Sequence, residues 1–284
     1  MTFRPEPSPR HLDVISGALT DTGLRRRVNE DAHLASFPVF LVADGMGGHE
    51  AGDLASAAVI DAFRGFIGRG DVAPEEVADA VHAAHRAVGV IARGTTRGAG
   101  STLTGVVAVQ QNGEHRWLVV NIGDSRVYRL LSERLEQLTV DHSIAQEMVD
   151  AGRLSRDQMS TFEGRNVITR AVGGDHSPAD FWLLPVVTGE RLLICSDGLS
   201  GEITDEAIRA GLLTGASPAQ TTGSLVAQAL HHGGRDNVTA IVVDVVGGGI
   251  HPRLEDTTGG LVTSEPATGT IEVETVPSRR RRHD

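Results

Sequence analysis

Four aspartates recur in one local setting along this chain. Asp44, Asp124, Asp197 and Asp236 each stand at the edge of a short apolar or β-branched run, in a turn that also holds glycine. In LVADGMGG the run from Val39 to Val42 delivers Asp44 at the point where Gly45, Gly47 and Gly48 must end a strand. NIGDSR, RLLICSDG and GGRDN repeat the arrangement for Asp124, Asp197 and Asp236. One such residue alone reads as a cap or turn aspartate. Four of them point to a single sheet edge, where converging carboxylates repel unless hard divalent cations, Mg2+ or Mn2+, neutralise them. No His or Cys ring competes for zinc. His49 and Glu50 open an HE pair, but Asp53 stands where HExxH needs histidine, and His82 and His85 read as a satisfied structural pair on a helix.

The elements that must position these acids read as a chain of mixed helix and strand. Leu12 to Leu19 alternates as a strand, and TDTGLRRRVNEDAH follows as a turn with three consecutive arginines. Helices are predicted from His49 to Ile67 and, with proline in the first turn, from Pro74 to Ala92. From Ser101 the runs TLTGVVAV, RWLVVNIG, SRVYRLL and RLEQLTV predict an antiparallel meander. Residues 143–165 are irregular and polar, and are expected to form a partly helical flap. Strands resume at FWLLPVV and RLLICSDG, helices follow at Asp205–Leu213 and Pro218–His231, and NVTAIVVDVV is the final strand. Residues 1–10 and 247–284 lack apolar periodicity and are expected to be disordered, leaving one domain over residues 11–246.

Composition removes several classes of function. The 284-residue chain has a formal net charge of -11, which argues against general nucleic-acid binding. There is no lysine, so all 26 basic residues are arginine, and phosphate loops ending in GK[ST] and kinase lysine chemistry are absent. The single Cys195 fits a reducing compartment. A cysteine phosphatase would need arginine six residues after its nucleophile, and Gly201 stands there. The N-terminus is polar and proline-rich rather than a signal peptide, so a cytoplasmic location is expected.

The ordered series GLRRRVNED, ADGMGG, GSTLTG, NIGDSR, LTVDHS, NVITRAVGG, CSDGL and GRDNVTAIVV resembles the metal-dependent, type 2C serine/threonine protein phosphatases in their bacterial form. The resemblance spans Asp13 to Val246. It implies an α+β fold: a central β-sandwich of two antiparallel sheets flanked by helices on both outer faces. It also implies a binuclear Mn2+ or Mg2+ centre with a third, weaker ion. On the matching motifs, Asp44 would bridge two metals, Gly45 would offer its carbonyl, and Asp197 and Asp236 would complete the site. Glu30 and Asp31 would orient metal-bound waters, Asp124 would share the third ion with Asp197, and Arg26 would bind phosphate. The implied reaction is hydrolysis of phosphoserine and phosphothreonine by a metal-activated water, with phosphorylated proteins, Ser/Thr kinases among them, as partners of a monomeric enzyme.

Two positions depart from the pattern: Met46 replaces the histidine of the eukaryotic DGHGG, and Phe162-Glu163-Gly164-Arg165-Asn166 replaces the flap's usual HPxRN. Two other functions stay open at this level, a weakly catalytic phosphoprotein-binding scaffold and a phosphatase acting on an anti-sigma antagonist. The tail ends in Arg279 to Arg282. That run is either the juxtamembrane segment of a tethered protein, with the membrane helix beyond Asp284, or the end of a soluble enzyme whose tail threonines are kinase targets.

Overall fold

The computed structural model of the chain describes residues 11–47, 51–175 and 177–251. The expectations for residues 1–10, for His49 and Glu50, and for the tail from Pro252 onward lie outside the described residues. In chain order the elements are β1 (Asp13–Asp21), β2 (Asp31–Ser36), β3 (Val39–Gly47), α1 (Gly52–Asp61), α2 (Pro74–Arg93), β4 (Ala99–Ser101), β5 (Leu103–Gln111) and β6 (Glu114–Ile122). They continue as β7 (Arg126–Leu131), β8 (Arg134–Gln137), α3 (Ile144–Asp150), β9 (Asp180–Pro185), β10 (Arg191–Cys195), α4 (Asp197–Ser200), α5 (Asp205–Leu212), α6 (Pro218–His232) and β11 (Val238–Gly247).

Two antiparallel sheets face each other, one ordered β1-β11-β10-β7-β8 and the other β2-β3-β5-β6-β9, with β4 attached to β3. The central strands read as unbroken apolar runs because both of their faces are buried. In β3, Leu41 and Ala43 pack under α1 and α2, whereas Phe40 and Val42 point between the sheets. In β11, Ile241 and Val243 enter the inter-sheet core, and Ala240 and Val242 pack under α5 and α6. Three apolar layers therefore alternate with four layers of backbone, giving the helix-sheet-sheet-helix stack that the sequence motifs imply.

Helix boundaries follow local chemistry. At the start of α2, Pro74 takes the first turn, and Glu76 accepts the Ala73 N–H at 2.9 Å. At α6 the Ser217 N–H likewise donates to Gln220 Oε1 at 3.2 Å, and the Ser217 hydroxyl in turn accepts the Gln220 N–H. The helix expected over His49 to Ile67 is shorter. It ends at Asp61, and a short 3-10 turn at Arg64–Phe66 follows, where Gly65 and Gly68 weaken helical continuation.

The meander expected after Ser101 is divided between the sheets. β5 and β6 pair in one, β7 and β8 in the other, and the chain crosses over at Gly123-Asp124-Ser125. Gly123 makes that crossing with φ +109°, and a Cβ there would lie 2.6 Å from Thr102 Cγ2. The strand pattern was legible, but which sheet each strand joins depends on this one turn. The tail expected to be disordered from residue 247 is instead ordered at its start: Gly247 ends β11, and the Ile250 N–H donates to Val186 O at 2.8 Å.

Candidate metal centre

The strand ends place the predicted acids at one rim of the sandwich. Asp31 in β2 and Asp44 in β3 are direct cross-strand partners, an arrangement of like charges that is unfavourable without a compensating cation. The Asp44 backbone is fixed on both sides: its N–H donates to Thr102 Oγ1 at 2.9 Å, and its carbonyl accepts from the Thr102 N–H at 2.8 Å. Gly45 follows, donating its N–H to Glu30 O at 3.1 Å. A Cβ on Gly45 would collide with Gly52 O, so only glycine lets β3 run this close to the start of α1.

Asp197 begins the short α4 directly after β10, and Asp236 precedes β11. Asp236 Oδ1 accepts the Asn237 N–H at 2.8 Å, while its Oδ2 accepts from Arg26 Nη2 at 2.6 Å. Asp31 Oδ2 is held by the hydroxyls of Thr239, at 2.6 Å, and Ser196, at 2.9 Å. Its Oδ1 and the Oδ1 of Asp197 are buried with no protein partner.

The electrostatics of the rim reflect this crowding. Burial, together with the charges of Asp197 and Asp236, pushes the Asp31 carboxyl up to about 7, against the opposing pull of Thr239 and Ser196. Burial raises Asp44 well above the usual carboxylate range, with further upward pressure from Asp31, Asp197, Asp124 and Asp236. Asp197 is raised by burial and by Asp236. Asp124 reaches about 8 through burial and the charges of Asp197 and Asp141. Among the described residues, no three His, Cys, Asp or Glu side chains are closed tightly enough around one point to hold an ion unaided. What fits a hard cation here is an open rim of carboxylates with two orphaned buried oxygens, because Mg2+-like ions keep several waters and take only part of their shell from protein.

Several residues that organise this rim were not singled out from the sequence. The Asn237 side chain holds the connection between β1 and β2 at three points: Nδ2 donates to Thr22 O at 2.9 Å and Val28 O at 3.0 Å, and Oδ1 accepts the Glu30 N–H at 2.9 Å. His142 holds the Asp124 turn, its Nδ1 accepting the Gly123 N–H at 3.1 Å while Nε2 donates to Asp180 at 3.0 Å. Arg126 makes a forked pair with Asp141 beneath that turn. The available signal for Ser196 and Thr239 was a hydroxyl residue interrupting an apolar strand, and for Asn237 a polar residue at a buried strand start. His85 is structural as expected, its Nδ1 accepting the Gly173 N–H at 3.1 Å, whereas His82 is exposed.

Beside the rim, a cleft of about 390 Å³ is bounded by Asp124, Asp141 and Asp197 on one side and by Arg156, Arg165 and Asn166 of the flap on the other. The flap contains α3 and a 3-10 segment at Arg156–Thr161, in keeping with its irregular sequence. A larger hollow of about 500 Å³ lies at the opposite end of β10. It shares no acid with the rim, and its Arg191 is consumed by Asp244, Leu212 O and Ala216 O.

A four-layer sandwich with an acidic rim suited to hard cations, and an arginine fork suited to an oxyanion, is the framework of the metal-dependent phosphatases. Residues 25–232 match the model of the family described as protein phosphatase 2C, and the chain belongs to that family. It is 37% identical over 234 residues to the serine/threonine protein phosphatase PstP of Mycobacterium tuberculosis, a match covering 81% of this chain and 44% of that protein. The chain thus spans less than half the length of this relative. Protein phosphatase PhpP of Streptococcus pneumoniae is 32% identical over 239 residues, covering 80% of this chain and 96% of that one. A crystal structure of the catalytic domain of PstP in complex with two manganese ions superposes with a TM-score of 0.74 at 33% identity, covering 84% of this chain and 100% of that one.

Proposed function

We propose that this chain hydrolyses phosphoserine and phosphothreonine in proteins with Mn2+ or Mg2+ as cofactor, reversing bacterial Ser/Thr kinase signalling. The observation that carries this reading is the meeting of Asp31, Asp44, Asp124, Asp197 and Asp236 at one rim, with two buried carboxylate oxygens left for a ligand. We assign Asp44 as the bridging carboxylate, Gly45 as a backbone oxygen donor, Asp197 and Asp236 as the remaining ligands of the core pair, and Asp124 with Asp197 as the seat of a third, weaker ion. When bound, the ions supply Lewis acidity and lower the pKa of water.

The chain's own residues supply position and charge. Asp31, locked through Oδ2, keeps Oδ1 as an acceptor for an ordered water, and Glu30 is assigned the same role beside it. Arg26, already lying along the rim, offers a fork of N–H donors matched to phosphoryl oxygens. Met46 has no proton to give, so a leaving alkoxide takes its proton from water at the rim or from another group.

The family names of the relatives support a phosphoprotein substrate, and the manganese-bound PstP structure supports a two-ion centre. A monomer acting at the cytoplasmic face is a further reading. The four arginines from Arg279 support a membrane tether, at about 1 kcal/mol per basic residue near anionic lipid. Among the described residues, no helix is long and apolar enough to cross a membrane. The decisive experiment is phosphate release from a phosphothreonine peptide with and without manganese. EDTA, Asp44→Asn and Asp197→Asn are each expected to abolish it. Metal-independent release, or either variant within about threefold of the unaltered chain, overturns the assignment.

A further inference from the structure

The segment from Leu24 to Val28 is exposed throughout, and at its middle Arg26 reaches the candidate centre. Its neighbours Arg25 and Arg27 make no hydrogen bond or ion pair among the described residues. Many other arginines of this acidic chain are paired, including Arg64, Arg69, Arg116, Arg129 and Arg235. The segment is also held in place rather than loosely attached. Asn237 bonds its two flanks at Thr22 and Val28, the Leu24 N–H donates to Gly234 O at 2.7 Å, and Gly23 turns at φ +78° with its N–H on Asp21 Oδ1. Leu24, at 65% exposure, and Val28, at 54%, flank the three arginines with apolar surface.

We infer that Arg25 and Arg27 select the substrate: they favour phosphorylated segments that carry further anionic side chains next to the phosphoresidue. This rests on the phosphatase reading above. A phosphoryl group held by Arg26 brings the adjacent residues of its own chain over Arg25 and Arg27, since consecutive α-carbons on either side are only about 3.8 Å apart. Each arginine is then within reach of one flanking anion. The net charge of -11 repels an acidic substrate from most of the surface, so a local pair of unpaired guanidinium groups has a larger discriminating effect here than on a basic protein. Flanking carboxylates and a second phosphate share this chemistry.

The test compares kcat/KM for three phosphothreonine peptides of equal length, one with neutral flanks, one with glutamates on both sides and one with a second phosphothreonine. The unaltered enzyme is expected to prefer one or both anionic peptides over the neutral one by about threefold to tenfold, chiefly through KM, with the preference shrinking as salt rises. In Arg25→Ala/Arg27→Ala the ratio falls toward one, and Arg25→Lys/Arg27→Lys retains most of it because the charge is kept. Preference for the glutamate peptide identifies carboxylates as the recognised flank, and preference for the doubly phosphorylated peptide alone identifies phosphate. Equal kcat/KM for all three peptides, or a ratio unchanged in the double alanine variant, overturns the inference while leaving the phosphatase reading intact. Failure to release phosphate from any of the three sinks the phosphatase reading itself.

Discussion

Arg26 donates to Asp236 at 2.6 Å, so the arginine assigned to phosphate lies against a carboxylate assigned to metal. The contact is half exposed, 48% on the arginine and 34% on the aspartate, which keeps the guanidinium free to rotate part of its fork toward an incoming phosphoryl group. Losing one charge-assisted hydrogen bond to the phosphoryl group costs about 1.5 to 3 kcal/mol, so Arg26→Ala is expected to lower kcat/KM by roughly tenfold to a few hundredfold. Steady-state kinetics on a neutral phosphothreonine peptide checks this. A variant within about threefold of the unaltered enzyme removes Arg26 from the phosphate site.

His142 is expected to act as a positioning residue for Asp124. Its ring accepts the Gly123 N–H, and its backbone N–H donates to Gly123 O at 2.9 Å, so both polar groups of the turn are held from one residue. His142→Ala leaves the Gly123 N–H buried without that acceptor, at about 1 to 3 kcal/mol of stability. Asp124→Ala removes the carboxylate itself. Both variants are expected to retain two tightly bound manganese ions in equilibrium dialysis and to need more manganese for full activity. If Asp124→Ala loses the tightly held pair, Asp124 belongs to the core site. If His142→Ala matches the unaltered chain in its manganese requirement, the clamp does not position Asp124.

The acids were legible in the sequence because strand termination is a local event. An apolar run meeting Asp and Gly leaves the carboxylate just past the strand at Asp124 and Asp197, whereas at Asp44 the strand does not end as expected but runs on to Gly47, and the rim falls where pairing passes from β5 to β4. Residues that join distant segments carry no such signal. Asn237 meets Glu30 across 207 positions and Thr22 across 215, and nothing near Asn237 in the chain announces either partner. The assignment of strands to sheets failed for the same reason. β6 and β7 are separated by only three residues, and their division depends on the close approach of Gly123 to Thr102, which is a tertiary contact.

Glu190 is a second buried acid, far from the rim. Its Oε1 accepts from Trp117 Nε1 and from the Val187 N–H, both at 2.8 Å, while Oε2 is buried without a partner. Burial raises its carboxyl above the usual range, although those two hydrogen bonds pull the other way. A carboxyl with a raised folded-state pKa binds its proton more tightly folded than unfolded. Its contribution to stability is therefore greatest at low pH and is lost as pH rises from the unfolded to the folded value. Urea denaturation followed as pH rises from the ordinary glutamate range is expected to show a loss of stability in the unaltered chain that Glu190→Gln diminishes, because the amide does not titrate. An identical pH slope in the two proteins means that Glu190 does not titrate differently on folding.

Gly198 sets the distance between two proposed ligands. It follows Asp197, and a Cβ there would lie 1.9 Å from Asn237 O and 3.4 Å from Val238 Cα, so the α4 turn rests directly on the backbone that carries Asp236. Alanine must push the two segments apart, and both are anchored: β10 and β11 are paired from Arg191 to Cys195, and Asn237 is bonded at three points to the connection between β1 and β2. Overpacking against fixed backbone costs about 1 to 3 kcal/mol, and here the displacement also separates Asp197 from Asp236. Gly198→Ala is therefore expected to lower stability in urea by that amount and to raise the manganese concentration for half-maximal activity by at least about tenfold, since ligand geometry and affinity fall together. Gly223 in α6 provides the control, because a Cβ there meets nothing within 4 Å. Gly223→Ala is expected to stabilise the helix by about 0.5 to 1 kcal/mol with an unchanged manganese requirement. If Gly198→Ala loses stability but keeps the manganese dependence of the unaltered chain, Asp197 and Asp236 do not serve a common ion.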